Sequence, residues 1–189
     1  MRTSGVLSAG GGQLEELLRG VSSDSRAGIN GVSKKIDMKA KKKKTTNPLI
    51  DALRLALAES YAVLAQTHLC HWNVRGPGFF ALHTAFEEQY TELFTAVDEI
   101  AERIRALGQL APGGLGSLAK IAGVEEIKEN ATAEEMVAHL RDINKALVKD
   151  LAKARDLAGE AEDSETEDMM IARIQIHQKT IWMLDSYLA

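Results

Sequence analysis

Five residues near the middle of this chain are of the types that hold transition metals: His71, His83, Glu87, Asp98 and Glu102. His83 and Glu87 stand at i, i+4, as do Asp98 and Glu102, so on a helix each pair shares one face. Imidazole with carboxylate suits iron, zinc or manganese, with iron favoured where redox chemistry is intended. Taking Phe86 as zero and about 100° per residue, His83, Glu87, Asp98 and Glu102 fall at about 60°, 100°, 120° and 160°. The apolar residues Phe79, Leu82, Phe86, Tyr90, Leu93, Val97, Ile100, Ile104 and Leu107 occupy about −60° to +40°. The candidate ligands therefore line a flank beside the core stripe, a flank that is solvated in a lone chain.

A single chain cannot close a site from these residues. The two pairs are centred 15 residues apart, about 22 Å along a straight helix, and metal–ligand bonds of about 2 Å do not span that distance. An antiparallel copy of the same helix removes the difficulty. With a two-fold axis near Glu92 and Leu93, the His83/Glu87 end of one chain meets the Asp98/Glu102 end of the other. Such an isologous contact makes two identical sites per dimer. Bundles that hold two irons internally use Glu-x-x-His from two helices, a spacing absent here, since Glu135 and His139 stand four apart.

The elements that must position these residues are helices. Alanine, leucine, glutamate and lysine are abundant and aromatics make up only 5% of 189 residues, a usage that favours helix over strand. Asn47-Pro48 opens a first helix that runs through Leu53, Leu57, Tyr61, Leu64, His68 and His71, and Gly76-Pro77-Gly78 breaks it. A second spans about Phe79 to Leu107. The crossover from Gly108 to Ala131 contains a short helix near Ser117 to Ala122. Thr132 and Glu135 form a capping box for a third long helix that reaches about Gly159, and a fourth runs from about Ser164 to Leu188. Two long hairpins joined by a crossover make an all-α four-helix bundle over residues 48–189.

Residues 1–47 differ in kind. They hold seven of the fifteen glycines and carry ten basic against four acidic side chains, a net of +6, whereas residues 48–189 carry 13 against 23, a net of −10. The segment reads as a flexible lysine-rich extension, and its lysines 34, 35, 39 and 41 to 44 suit a polyanion such as double-stranded DNA. Without a base-reading motif, that binding is independent of sequence: Lys34, Lys35, Lys39, Lys41, Lys42, Lys43 and Lys44 meet phosphates. No apolar run approaches the roughly 20 residues of a membrane span, and Met1 to Gly12 does not read as a secretory leader. The lone Cys70 reads as a small buried filler and fits a reducing cytoplasm.

The segment His71-Trp72-Asn73-Val74-Arg75-Gly76-Pro77-Gly78-Phe79, then His83, Phe86-Glu87 and Asp98-Glu99-Ile100-Ala101-Glu102-Arg103, resembles the signature of the Dps family (DNA protection during starvation). Lys179 to Ser186 is similar to that family's last helix, so the resemblance covers about residues 47–189. It implies a ferritin-like bundle, a hollow shell typically of twelve subunits, and iron oxidation at two-fold interfaces with hydrogen peroxide as the usual oxidant. By matching positions, His71 and His83 come from one subunit, Asp98 and Glu102 from its partner, and Glu87 stands near or on the metal. Trp72 matches a tryptophan adjoining the centre, an electron relay or radical trap. Cytoplasmic placement is expected from the lone cysteine and the lack of a leader pattern, and nucleoid association if the lysine-rich extension binds DNA.

Other residues carry plainer readings. His68, one turn before His71, reads as core; His139 and His177 carry no supporting pattern. Arg103 orients an acidic neighbour or makes an interface ion pair. The run Glu160, Glu162, Asp163, Glu165, Glu167 and Asp168 is good electrostatics for a helix start and also suits cation attraction at a pore.

Overall fold

The computed structural model describes residues 47–189. The lysines at 34, 35, 39 and 41 to 44, and the extension that carries them, lie outside the described residues. Five helices follow in order: α1 Pro48–Asn73, α2 Phe79–Ala106, α3 Leu115–Ala122, α4 Ala133–Glu160 and α5 Ser164–Leu188.

Local chemistry accounts for the helix ends. The Asn47 side chain accepts from the Leu49 N–H at 3.1 Å, and Pro48 occupies the first turn, where its missing N–H costs nothing. Beyond Asn73 the chain turns extended at Val74, and Gly76 takes φ 109°, a conformation that a side chain resists. The expected capping box is present on α4: Thr132 Oγ1 accepts from the Glu135 N–H at 3.2 Å, and Glu135 accepts from the Thr132 N–H at 2.7 Å. Asp163 caps α5 by accepting from the Thr166 N–H at 3.1 Å. The crossover helix begins two residues earlier than its sequence pattern suggests, at Leu115, and Gly123 ends it in the left-handed region.

The pairs α1/α2 and α4/α5 form the two hairpins; α1 packs across α4, α3 lies on α1, and α2 meets α5 only sparsely. The stripe on α2 faces inward as expected: Leu82, Phe86, Leu93, Val97, Ile100 and Ile104 are buried, and Phe79, Tyr90 and Leu107 partly so. Helix α1 is buried on more than one stripe. It touches α2, α3 and α4 at once, so Glu59, Ser60, Gln66 and Thr67 are enclosed along with its leucines. Ala56, Ala58, Ala154 and Ala158 are also buried, small side chains that let α1 and α4 approach closely. Cys70 is the buried filler expected, and burial pushes its thiol up to about 12, which leaves it unreactive. No helix among the described residues is long and apolar enough to cross a membrane.

Candidate metal centre

The last turn of α1 and the first turns of α2 place His71 against His83 across the Gly76-Pro77 loop. Each imidazole is tied to the other's backbone: His71 Nδ1 lies 2.9 Å from the His83 carbonyl oxygen, and His83 Nδ1 lies 2.9 Å from that of His71. A carbonyl only accepts, so both Nδ1 atoms carry a proton, and Nε2 is the nitrogen that each ring keeps for a metal. The rings stack with centroids 3.7 Å apart and planes 17° from parallel. Metal-binding histidines are commonly held in this way, with the second nitrogen donating to a fixed acceptor.

Aromatic rings enclose the pair. Phe79 stacks on His83 at 4.9 Å, and Tyr90 presents its edge to His71 at 5.1 Å. His68 is not the core residue expected. It is half-buried between Tyr90, at 4.1 Å, and Trp72, at 5.1 Å and nearly parallel, and burial together with His71 holds its imidazole below the ordinary range. Trp72 follows His71 in sequence but points elsewhere around the helix. Its indole is 70% exposed and its stacking partner is His68.

Glu87, Asp98 and Glu102 are exposed on the flank of α2 that also carries His83. Among the described residues, no three histidine, cysteine or carboxylate side chains converge closely enough to hold a metal ion. On one chain the candidate ligands thus stand in two separate groups. Between them stands Phe94, 68% exposed, and beside Asp98 lies a groove of about 510 Å³ lined by Leu57, Tyr61, Phe94 and Val97. Leu93 is in the core and Glu92 points away to pair with Arg173, so at the level of the expected axis the residue facing outward is Phe94. Exposed apolar surface of this kind is what a protein interface presents.

Arg103 orients an acidic side chain, Asp163, from far along the sequence. Its Nε donates to Thr166 Oγ1 at 2.8 Å and its NH2 group pairs with Asp163, so it clamps α2 to the turn before α5. Burial pushes the Asp163 carboxyl up, but the hydrogen bonds from Thr166 and the charge of Arg103 outweigh it and hold the group below its usual range. Asp163 is therefore structural, while Glu160, Glu162, Glu165 and Asp168 remain exposed. Sequence reasoning passed over Tyr90, except as core, and His177. Their significance lies in contacts with other helices, which no spacing within one helix signals.

Comparison with known proteins fits this geometry. The ferritin-like domain family matches residues 50–189. DNA protection during starvation protein 2 of Bacillus anthracis is 34% identical over 140 residues, which is 74% of this chain and 96% of that protein. The chain belongs to the Dps family of ferritin-like proteins. Solved Dps structures agree in fold. That from Staphylococcus aureus superposes with a TM-score of 0.72 at 37% identity, covering 75% of this chain and 95% of its own. The Dps of Vibrio cholerae O1, described as a member of a broad superfamily of ferritin-like diiron-carboxylate proteins, gives 0.72 at 33%, covering 75% and 89%. The bundle over the described residues is all-α, and the short α3 sits in the crossover between the second and third long helices.

Proposed function

We propose that this Dps chain oxidises Fe(II) at a centre shared by two subunits and stores the ferric product. Two copies lie antiparallel along α2. His71 and His83 of one subunit bind iron together with the partner subunit's Asp98 and Glu102, and Glu87 supplies a further carboxylate beside them. Iron here is the substrate. Two Fe(II) ions give one electron each to one molecule of hydrogen peroxide, which takes up two protons and leaves as two waters. Delivering both electrons at one centre avoids a free hydroxyl radical. Trp72, coupled to Tyr90 through His68, is the residue positioned to pass an electron or take up a stray radical.

The reciprocal Nδ1–carbonyl hydrogen bonds of His71 and His83 carry this reading, because they ready two Nε2 lone pairs for a metal that the chain alone cannot complete. Replacing both His71 and His83 by alanine is expected to abolish rapid Fe(II) oxidation by peroxide, followed by stopped-flow absorbance of the ferric product. Wild-type rates in that variant are incompatible with the assignment.

Dimers assemble into a hollow shell, of twelve subunits by resemblance, whose acidic interior holds the mineral. The lysine-rich extension binds double-stranded DNA without regard to sequence, each copy weakly and the shell by avidity. The protein then acts in the cytoplasm, at the nucleoid while DNA is bound.

A further inference from the structure

A second polar constellation lies inside the bundle, on the opposite side of α2 from the candidate ligands. Arg173 of α5 is buried, and both of its terminal nitrogens engage the Glu92 carboxylate of α2, NH2 at 3.0 Å from Oε2. The same NH2 lies 3.1 Å from Nε2 of His177, one turn further along α5 and also buried. His177 Nδ1 lies 2.7 Å from Asn144 Oδ1 on α4, and Asn144 Nδ2 donates to the Leu140 carbonyl at 2.7 Å. Proton placement follows from the donors. A guanidinium only donates, so His177 Nε2 accepts, Nδ1–H donates to Asn144, and the imidazole is neutral. Burial, with the Arg173 charge added, takes its pKa down to about 3.

Without the guanidinium, one imidazole nitrogen and one carboxylate face the space it leaves, two protein donors for a metal whose other positions water would fill. His177 aims a lone pair inward while its other nitrogen donates to a fixed oxygen, the usual support of a ligating histidine. Glu92 brings a carboxylate from the facing helix, at mid-height in the bundle, where four-helix proteins build metal sites. A groove of about 260 Å³ lined by Glu88, Gln89, Glu92, Asn144 and His177 gives water and ions a way in. The Arg173 nitrogen sits about 3 Å from both donors; a metal ion bonds at about 2.0–2.2 Å, a closure within reach of two side chains. The Arg173 Nε has no partner among the described residues, so only the end of the group that faces Glu92 and His177 is satisfied.

We propose that Arg173 is a built-in cation filling a metal-type site at the centre of the bundle, so that divalent metal is excluded there and left to the outer flank of α2. Arg173 is in this sense a specificity residue. The interior part of the proposal is independent of the interface reading.

The test is made in the full-length protein carrying His71→Ala and His83→Ala, which removes the outer histidines. Adding Arg173→Ala is expected to create a cobalt(II) site, seen by visible absorption and equilibrium dialysis, at least roughly tenfold tighter than in the parent with Arg173 intact. Further replacement of His177 by alanine is expected to abolish it. A helical, folded Arg173→Ala protein with the parent's cobalt titration overturns the proposal, and so does binding that survives loss of His177. If Arg173→Ala does not fold in metal-free buffer, it is refolded with and without zinc(II) beside Arg173→Lys. The lysine protein is expected to fold without metal and the alanine protein with zinc; an alanine protein that zinc does not rescue overturns the proposal as well.

Discussion

A histidine whose Nδ1–H is committed to a carbonyl offers a metal only its Nε2, and the rigid reciprocal pairing of His71 with His83 makes that commitment twice. The hydrogen bonds cost the free chain nothing at the moment of metal binding, since tautomer and ring angle are already set. A different residue governs response to pH. Glu59 is buried on α1; burial first, then the charge and hydrogen bonding of Asp150, raise its carboxyl from 4.5 to about 7, with Lys153 opposing. Between those values the folded state holds a proton that the unfolded state has lost. Stability from this group is therefore complete below its ordinary pKa and is lost as pH rises through about 7. Glu59→Gln is expected to flatten that slope and to be the more stable protein at pH 8, by on the order of 1 kcal/mol after solvent screening. Urea titrations at pH 5 and pH 8 measure it; equal slopes in the two proteins would remove Glu59 from the account.

Among elements, the loop between α1 and α2 matters most, because it fixes one histidine-bearing helix end against the other. Gly76 there has φ 109°, and no atom lies within 4 Å of where a Cβ would stand, so a substitution meets backbone strain alone. Gly76→Ala is expected to lower stability by roughly 1–3 kcal/mol and to weaken metal binding by shifting His71 from His83. Thermal unfolding and a cobalt titration check the two effects separately. If the variant keeps the parent's Tm, the loop is not strained by a side chain and its glycine has another purpose. At the other end of the bundle, Arg103 and the Asp163 cap hold α2 to α5 where apolar contact between them is sparse.

For the whole molecule, a shared centre makes a prediction that no intrachain centre makes. One variant lacks His71 and His83; a second lacks Asp98 and Glu102. Each alone is expected to be inactive. Co-refolded in equal amounts, half the dimers are mixed, and each mixed dimer regains one of its two sites, so about a quarter of wild-type oxidation should return. No recovery would point to a centre within one chain. The extension is tested separately. Removing residues 1–47 is expected to abolish gel-shift of double-stranded DNA, and binding by the full chain to weaken steeply with salt, by about 0.9 in the logarithmic slope per phosphate neutralised. A truncated shell with full affinity would move DNA binding onto the bundle.

Much of this molecule is governed by forces within one helix, and those were legible in the residues alone. The Thr132–Glu135 box, the Asn47 cap and the glycine break after Asn73 act over a few residues, so their spacing decides where the helices begin and stop. The same 3.6-residue period put His83, Glu87, Asp98 and Glu102 on a flank outside the core, and the length of α2 separated them into two groups. Tertiary structure alone decided what each side chain meets on another helix. It set Tyr90 of α2 against His68 and His71, gave Arg103 to Asp163 and Thr166, and buried the polar side of α1 under α3 and α4. It also joined Glu92, Asn144, Arg173 and His177 from three helices. The pairing of His71 with His83 lies between the two cases, visible as a spacing and fixed by a loop. Local periodicity sets a residue's direction from its own helix; the partner it finds there depends on how distant segments pack.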